Sequence, residues 1–249
     1  MTLKLLGSNL QQIYSGLRGI TAKPSFISAC IDYDKYWEFR DFFSFQPRFP
    51  IIEKQISDNS SVLDIGCGDG GMLAYIKSRK KIAELGIDIS KVATAKARKL
   101  GVNSRVDDLF KLAVENTSPQ KRWDYVILSE VVEHVADSEE FLKAAWKICE
   151  RTLILTFPNI AYLPHRLRLL FGRFPVQWVY HQSEHLRFWS LKDIHDWFEA
   201  LHLPQATVRR KLIPSNGITM IGLHCVCPNL FGNQIIAFID RLKQNSHES

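Results

Sequence analysis

The sequence predicts an α/β domain: a mostly parallel seven-stranded sheet with an antiparallel edge hairpin, an N-terminal cap and an inserted lid. Three observations point there. From residue 61 onward, short apolar strand-like runs alternate with helical periods. A glycine-rich turn follows the first of those runs, in "VLDIGCGDGG" at 62–71. After the fifth run the alternation stops for residues 157–190, a connection long enough to be a functional lid.

Taken in order, residues 1–30 show no placeable pattern, and "DYDKYWEFRDFFSF" (32–45) reads as a short aromatic helix capping a pocket. Residues 1–50 are therefore the cap segment and 51–249 the main domain. "SVLDI" is strand one and "GMLAYIKSRK" a helix; "AELGIDI" is strand two. Ser90 caps the helix "KVATAKARKL", because its hydroxyl can accept a free first-turn N–H. Strand three lies near 104–106, "WDYVILS" (123–129) is strand four, a helix covers 138–149, and "RTLILTF" is strand five. Parallel strands joined through helices bury both sheet faces. After the lid, "SLKDIHDWFEALHL" is a helix whose Ser190 and Asp193 make a capping box. Strands near 206–213 and 218–227, joined by "IPSNG", predict the antiparallel hairpin, and 229–243 reads as a final helix.

The chain has 249 residues, 46% of them hydrophobic, enough for one domain with a core. Its net charge of +6 gathers in clusters such as "KSRKK" and "HRLRLLFGR", which suit an anionic substrate or partner. The five cysteines, Cys30, Cys67, Cys149, Cys225 and Cys227, lack zinc spacing and predict no disulfide framework. Without a signal-type apolar core or an 18-residue apolar run, the expectation is a cytoplasmic protein with no integral membrane association.

The glycines Gly66, Gly68 and Gly71 fit the dinucleotide fingerprint, with Asp88 about 20 positions on. The surrounding acids argue against a pyrophosphate. Asp64 precedes the first glycine and Asp69 lies inside the loop, so a pyrophosphate would meet two carboxylates. A ligand carrying an ammonium and a sulfonium is attracted instead, and S-adenosylmethionine is such a ligand. Asp64 would face its amino group, while Gly66 and Gly68 give it room. Asp88 would accept the ribose hydroxyls, and Asp108 would meet the adenine. Cys67, Ile89, Leu109 and Ser129 complete the cofactor-binding candidates.

"VLDIGCGDGG", "GIDIS", "VDDLF", "WDYVILSEVVEHVAD" and "LILTFPN" resemble class I S-adenosylmethionine-dependent methyltransferases over roughly 61–227. More narrowly, "FPNIAYLPHRLRLLFGRFPVQW" and "EHLRFWSLKDI" resemble the MetW family associated with methionine biosynthesis. The resemblance implies the Rossmann-like class I fold, with Tyr36 and Arg40 near the methionyl carboxylate. It also implies an acyltransferase partner, since some members are thought to act with a homoserine acyltransferase. Two departures, the long N-terminal segment and the Glu-His pair in "SEVVEH", favour a working enzyme.

Methyl transfer to a hydroxyl needs alignment and removal of a proton. His134, just past strand four, and His185, returning from the lid, are the catalytic candidates. No "NPPY" follows strand four and no cysteine is placed as a nucleophile, so oxygen is the expected acceptor atom. Tyr162, Phe174, Trp178 and Tyr180 with Arg166, Arg168 and Arg173 would cradle a small, anionic or glycan-linked acceptor. Glu130 and Glu133 with His134 and His185 also offer enough ligands for a divalent ion. That set, with the basic clusters, leaves a metal-dependent RNA-end methyltransferase as a third reading, although no separate RNA-binding module is present. The primary expectation is a site without metal.

Overall fold

A computed structural model of the protein describes residues 32–38, 45–115, 122–175, 185–204, 206–208, 212–218 and 222–242. Strands β1 (Ser60–Ile65), β2 (Ile82–Asp88), β3 (Ser104–Val106), β4 (Trp123–Ser129) and β5 (Cys149–Pro158) run parallel. β8 (Gly232–Arg241) lies antiparallel against β5, and β6 (Ala206–Val208) lies antiparallel against β8. The strand order is β3-β2-β1-β4-β5-β8-β6, with β7 (Ile213–Gly217) also pairing with β8, eight strands among the described residues.

Alternation along each central strand divides the core into two clusters. In β4, Val126 and Leu128 face one cluster, while Tyr125 and Ile127 face the other. β8 divides in the same way, with Ile235, Ala237 and Ile239 on one side and Ile236 and Phe238 on the other. Both faces of the sheet are covered, so these strands read as unbroken apolar runs. Helices α1 (Tyr33–Glu38) and α2 (Arg48–Glu53) precede the sheet, and α2 crosses position 50 with Phe49 and Ile52 in the core. The crossover helices are α3 (Gly71–Lys77), α4 (Lys91–Lys99), α5 (Leu109–Glu115) and α6 (Ser138–Lys147).

The C-terminal reading needs correction. "IPSNG" is not a connection; it is strand β7 itself. β6 and β7 follow one another along β8, their partners running from Arg241 down to Gly232. The antiparallel partners of β8 at this edge are therefore β6 and β7. The chain between β7 and β8 includes helices α9 (Leu223–Val226) and α10 (Pro228–Phe231) where a strand over 218–227 was expected. The expected helix over 229–243 is instead β8. A short apolar run such as "IIAFI" has no period that separates buried strand from buried helix, and pairing with β5 decides.

The lid contains helix α7 (Leu163–Leu170), and the chain returns through residues 185–190 into α8 (Leu191–Leu201). Ser190 and Asp193 form the expected capping box at the start of α8. Asn159 anchors the lid's entry: its buried side-chain amide donates to the carbonyls of Asn229 (3.0 Å) and Gly232 (2.8 Å). Ile160 N donates to Trp189 O at 3.0 Å, so entry and exit lie side by side.

Candidate active site

The carboxyl ends of β1, β2 and β4 converge where the strand order reverses, the position at which open α/β sheets hold ligands. Gly66 and Gly68 turn the chain there with φ of +71° and +54°. A Cβ on Gly66 would lie 2.5 Å from Val131, and one on Gly68 would lie 2.5 Å from the Trp37 ring. Glycine at these two places thus permits both the left-handed turn and the approach of two neighbouring segments.

Asp88 holds the loop. Its Oδ2 accepts from Gly68 N at 2.9 Å, and its Oδ1 accepts from Ser90 N at 2.8 Å. Each carboxylate oxygen retains a lone pair for a ligand hydroxyl. Burial raises the Asp88 pKa despite these bonds. Asp64 is 2% exposed, and its Oδ1 has no hydrogen-bond partner. Burial, then the charges of Asp88 and Asp69, push its carboxyl up to about 8. The Arg48 guanidinium opposes that rise.

The other cofactor candidates divide. Ile89 is 59% exposed beside Asp88. Asp108 is exposed, and its Oδ1 accepts from Phe110 N at 2.7 Å at the start of α5. Leu109 and Cys67 point into the protein; Leu109 is 2% exposed in the core, so only its main chain can meet a ligand. Burial pushes the Cys67 thiol well up, which removes it as a nucleophile. Ser129 shares a 3.1 Å hydrogen bond with Thr156 across β4 and β5. Tyr36 sits half-buried on α1, packed edge-on against Trp37 at 5.5 Å. Ser90 Oγ donates to Asp34 at 2.6 Å and docks α1 onto the start of α4. Arg40 lies outside the described residues.

Sequence reasoning missed Arg48. It donates to Gln234 Oε1 at 3.3 Å, and its charge acts on both Asp64 and Glu133. The available signal was a lone arginine at the start of the helix leading into β1, beside Phe49.

On the other side of Asp64, the 3₁₀ turn Val132–His134 follows β4. Val132 O at its start and Val135 O just after it both accept from Ser138 Oγ, at 2.9 and 2.7 Å. Glu133 O accepts from Leu186 N at 2.7 Å and Arg187 N at 3.1 Å, which pins the lid's return beside the turn. His134 and His185 are brought together by this pairing, their rings 4.7 Å apart and nearly perpendicular. Burial and the neighbouring His134 push the His185 imidazole down to about 3, so it is neutral near pH 7.

The expected acceptor cradle is only partly present. Arg168 is 2% exposed and donates to Phe174 O at 3.0 Å, so its guanidinium braces the lid instead of facing an acceptor. Tyr162 is buried against His165, with ring centroids 5.4 Å apart. Arg166 turns back to Ala161 O, while Phe174 stays exposed against Phe188. Trp178 and Tyr180 lie outside the described residues.

This strand order, with the glycine loop and acids at its switch point, is that of the class I S-adenosylmethionine-dependent methyltransferases. The magnesium protoporphyrin IX methyltransferase of Synechocystis, solved with bound S-adenosylhomocysteine, shares the fold: TM-score 0.57 and 14% identity over 92% of this chain and 94% of that one. Within the class, the family described as "Methionine biosynthesis protein MetW" matches residues 46–239, and the chain belongs to it.

A ubiquinone biosynthesis O-methyltransferase of Bradyrhizobium diazoefficiens is 32% identical over 55% of this chain and 50% of its own length. A bifunctional methionine biosynthesis protein MetXA/MetW of Rhodopirellula baltica is 27% identical over 59% of this chain and 26% of its own. The matched stretch thus spans half or less of these curated relatives. Among the described residues, no helix is long and apolar enough to cross a membrane.

Proposed function

We propose that the protein transfers the methyl group of S-adenosylmethionine to an oxygen of a small acceptor, anionic or glycan-linked. One observation carries the reading: the buried Asp64 carboxylate at the end of β1, with Oδ1 unpartnered and Arg48 acting on it from outside the glycine loop. A zwitterion satisfies both groups. The methionyl ammonium fits Asp64, and the methionyl carboxylate fits a guanidinium, which binds carboxylates through paired N–H donors. We assign Arg48 to that carboxylate, alongside the Tyr36 and Arg40 that the resemblance implies. Asp88 is already oriented by two backbone N–H groups to meet the ribose.

His134 and His185 stand past β4 and activate the acceptor hydroxyl there. The O-methyltransferase name of a curated relative supports oxygen as the acceptor atom. S-adenosylhomocysteine should raise the melting temperature. Binding to the folded state alone contributes about 2.7 kcal/mol at a hundredfold excess over Kd. NADH should leave it unchanged, and stabilisation by NADH alone would sink the assignment.

A second reading is favoured by the family match itself and by the relative in which MetXA and MetW share one name. In it the protein is the regulatory partner of a homoserine acyltransferase. Donor binding without transfer to any hydroxyl acceptor, together with co-purification of an acyltransferase, would establish it.

A further inference from the structure

We infer that Glu133, His134 and His185 form a site for one divalent cation of the zinc type. The inference rests on the methyl-transfer reading for the ion's role, but not for the ion's binding. One ligand atom from each of the three residues lies within 4.8 Å of the others. Around a tetrahedral zinc with bonds of about 2.0–2.1 Å, ligand atoms sit about 3.4 Å apart, so small side-chain rotations close the set.

Glu133 is the second and independent observation. Its side chain is fully buried, and neither carboxylate oxygen has a hydrogen-bond partner. A buried carboxylate is kept when it is paired or bound to a metal. The charged groups acting on it are Glu130, which adds negative charge, and Arg48, which opposes it. Neither supplies a hydrogen bond. The main chain also holds the constellation in place, because Glu133 O accepts the two N–H groups that directly follow His185.

The structure also sorts the four residues of the sequence set. Glu130 departs from it: its Oε1 accepts from Thr156 Oγ1 at 2.9 Å, and its backbone takes a left-handed φ of +57°. What remains is two imidazoles and one carboxylate. Such a donor set favours zinc or another first-row ion over magnesium, and it leaves at least one coordination position open. An acceptor hydroxyl bound at that position would release its proton to solvent. Its oxygen would then bond to the donor's methyl carbon as the C–S bond breaks. The electron pair of that bond stays on sulfur, giving S-adenosylhomocysteine.

Binding is tested on the intact protein, stripped with a chelator and then titrated calorimetrically with zinc chloride. Cobalt chloride absorption serves as the spectroscopic signature. The expected result is one equivalent of zinc, a raised melting temperature, and a tetrahedral cobalt spectrum. Glu133→Gln and His185→Ala should each weaken zinc binding by about 100-fold or more, beyond the cost of losing an outer partner. Glu133→Gln keeps the shape of a neutral carboxyl, so it folds even if the site binds nothing. His195→Ala serves as the control, because His195, Asp196 and Glu199 form an exposed cluster that could trap zinc. Absence of zinc binding overturns the inference, as does binding lost only in His195→Ala. S-adenosylhomocysteine titration of the same samples separates this failure from failure of the methyl-transfer reading.

Discussion

Under the proposed function, the donor and acceptor sides of the crevice are built differently. The donor side comes from one stretch of chain: β1, the glycine loop and β2 supply Asp64, Gly66, Gly68 and Asp88, and β2 pairs directly with β1. The acceptor side is assembled from remote segments. The turn at 132–134 meets the lid's return at 185–187, more than 50 residues further along the chain. A local site is positioned by a turn, whereas a dispersed one depends on the whole sheet having formed. Changes on the donor side should therefore act on ligand affinity, and changes on the acceptor side on turnover.

The largest test of that contrast is His134→Ala. Turnover should fall by about 10²–10⁴-fold, the range for loss of a positioned group that activates the acceptor hydroxyl. S-adenosylhomocysteine affinity should barely move, measured by calorimetry beside the methyl-transfer assay. A matching loss of donor affinity would break the separation between the two sides.

Asp88→Ala should weaken donor binding by roughly 1–3 kcal/mol, through lost charge-assisted hydrogen bonds. The change also frees Gly68 N and Ser90 N, which Asp88 now holds. Calorimetry would show a loss of affinity with little change in the rate at saturating donor.

Asp64 predicts a pH signature confined to the donor side. Its folded pKa of about 8 stands above the ordinary value of 3.8, so the folded protein binds the extra proton. Between those two values the unfolded chain binds fewer protons, and the contribution to stability falls as pH rises. Asp64→Asn should remove that decline in a pH series of unfolding curves. A donor ammonium favours the ionised carboxylate, so donor binding at pH 7 should release protons. Calorimetry in two buffers of different ionisation enthalpy measures this. Proton uptake would contradict the placement of the ammonium at Asp64.

The smallest effect is expected at Ser190→Ala, which removes the side-chain acceptor of the capping box before α8. The cost should be about 1 kcal/mol of stability, read from urea unfolding. Donor affinity should not change.

The same division explains what was legible in the sequence. Glycines and acids at strand ends are local chemistry, so the glycine turn and the places of Asp64 and Asp88 at the ends of β1 and β2 could be read from short stretches of chain. Arg48 was not legible, because its importance comes from Asp64 and Glu133, which only folding brings near it. Arg168 looked like an acceptor contact among the arginines of the lid, yet it turns inward to the Phe174 carbonyl. The C-terminal strands were misplaced for a related reason. Nothing within "GNQIIAFIDR" distinguishes strand from helix, and the deciding hydrogen bonds belong to β5 and β7.

β8 also sets the order in which the molecule can be completed. Thr152 pairs with Asp240, so one side of β5 stays an open edge until residues 232–241 have been synthesised. A nascent chain holds its finished donor loop well before that moment, with an apolar strand still seeking a partner. Pairing this distant in sequence is slow, and an exposed edge recruits other chains meanwhile. A chain stopped before Gly232 would keep the glycine loop, Asp64 and Asp88, and would be expected to aggregate through β5.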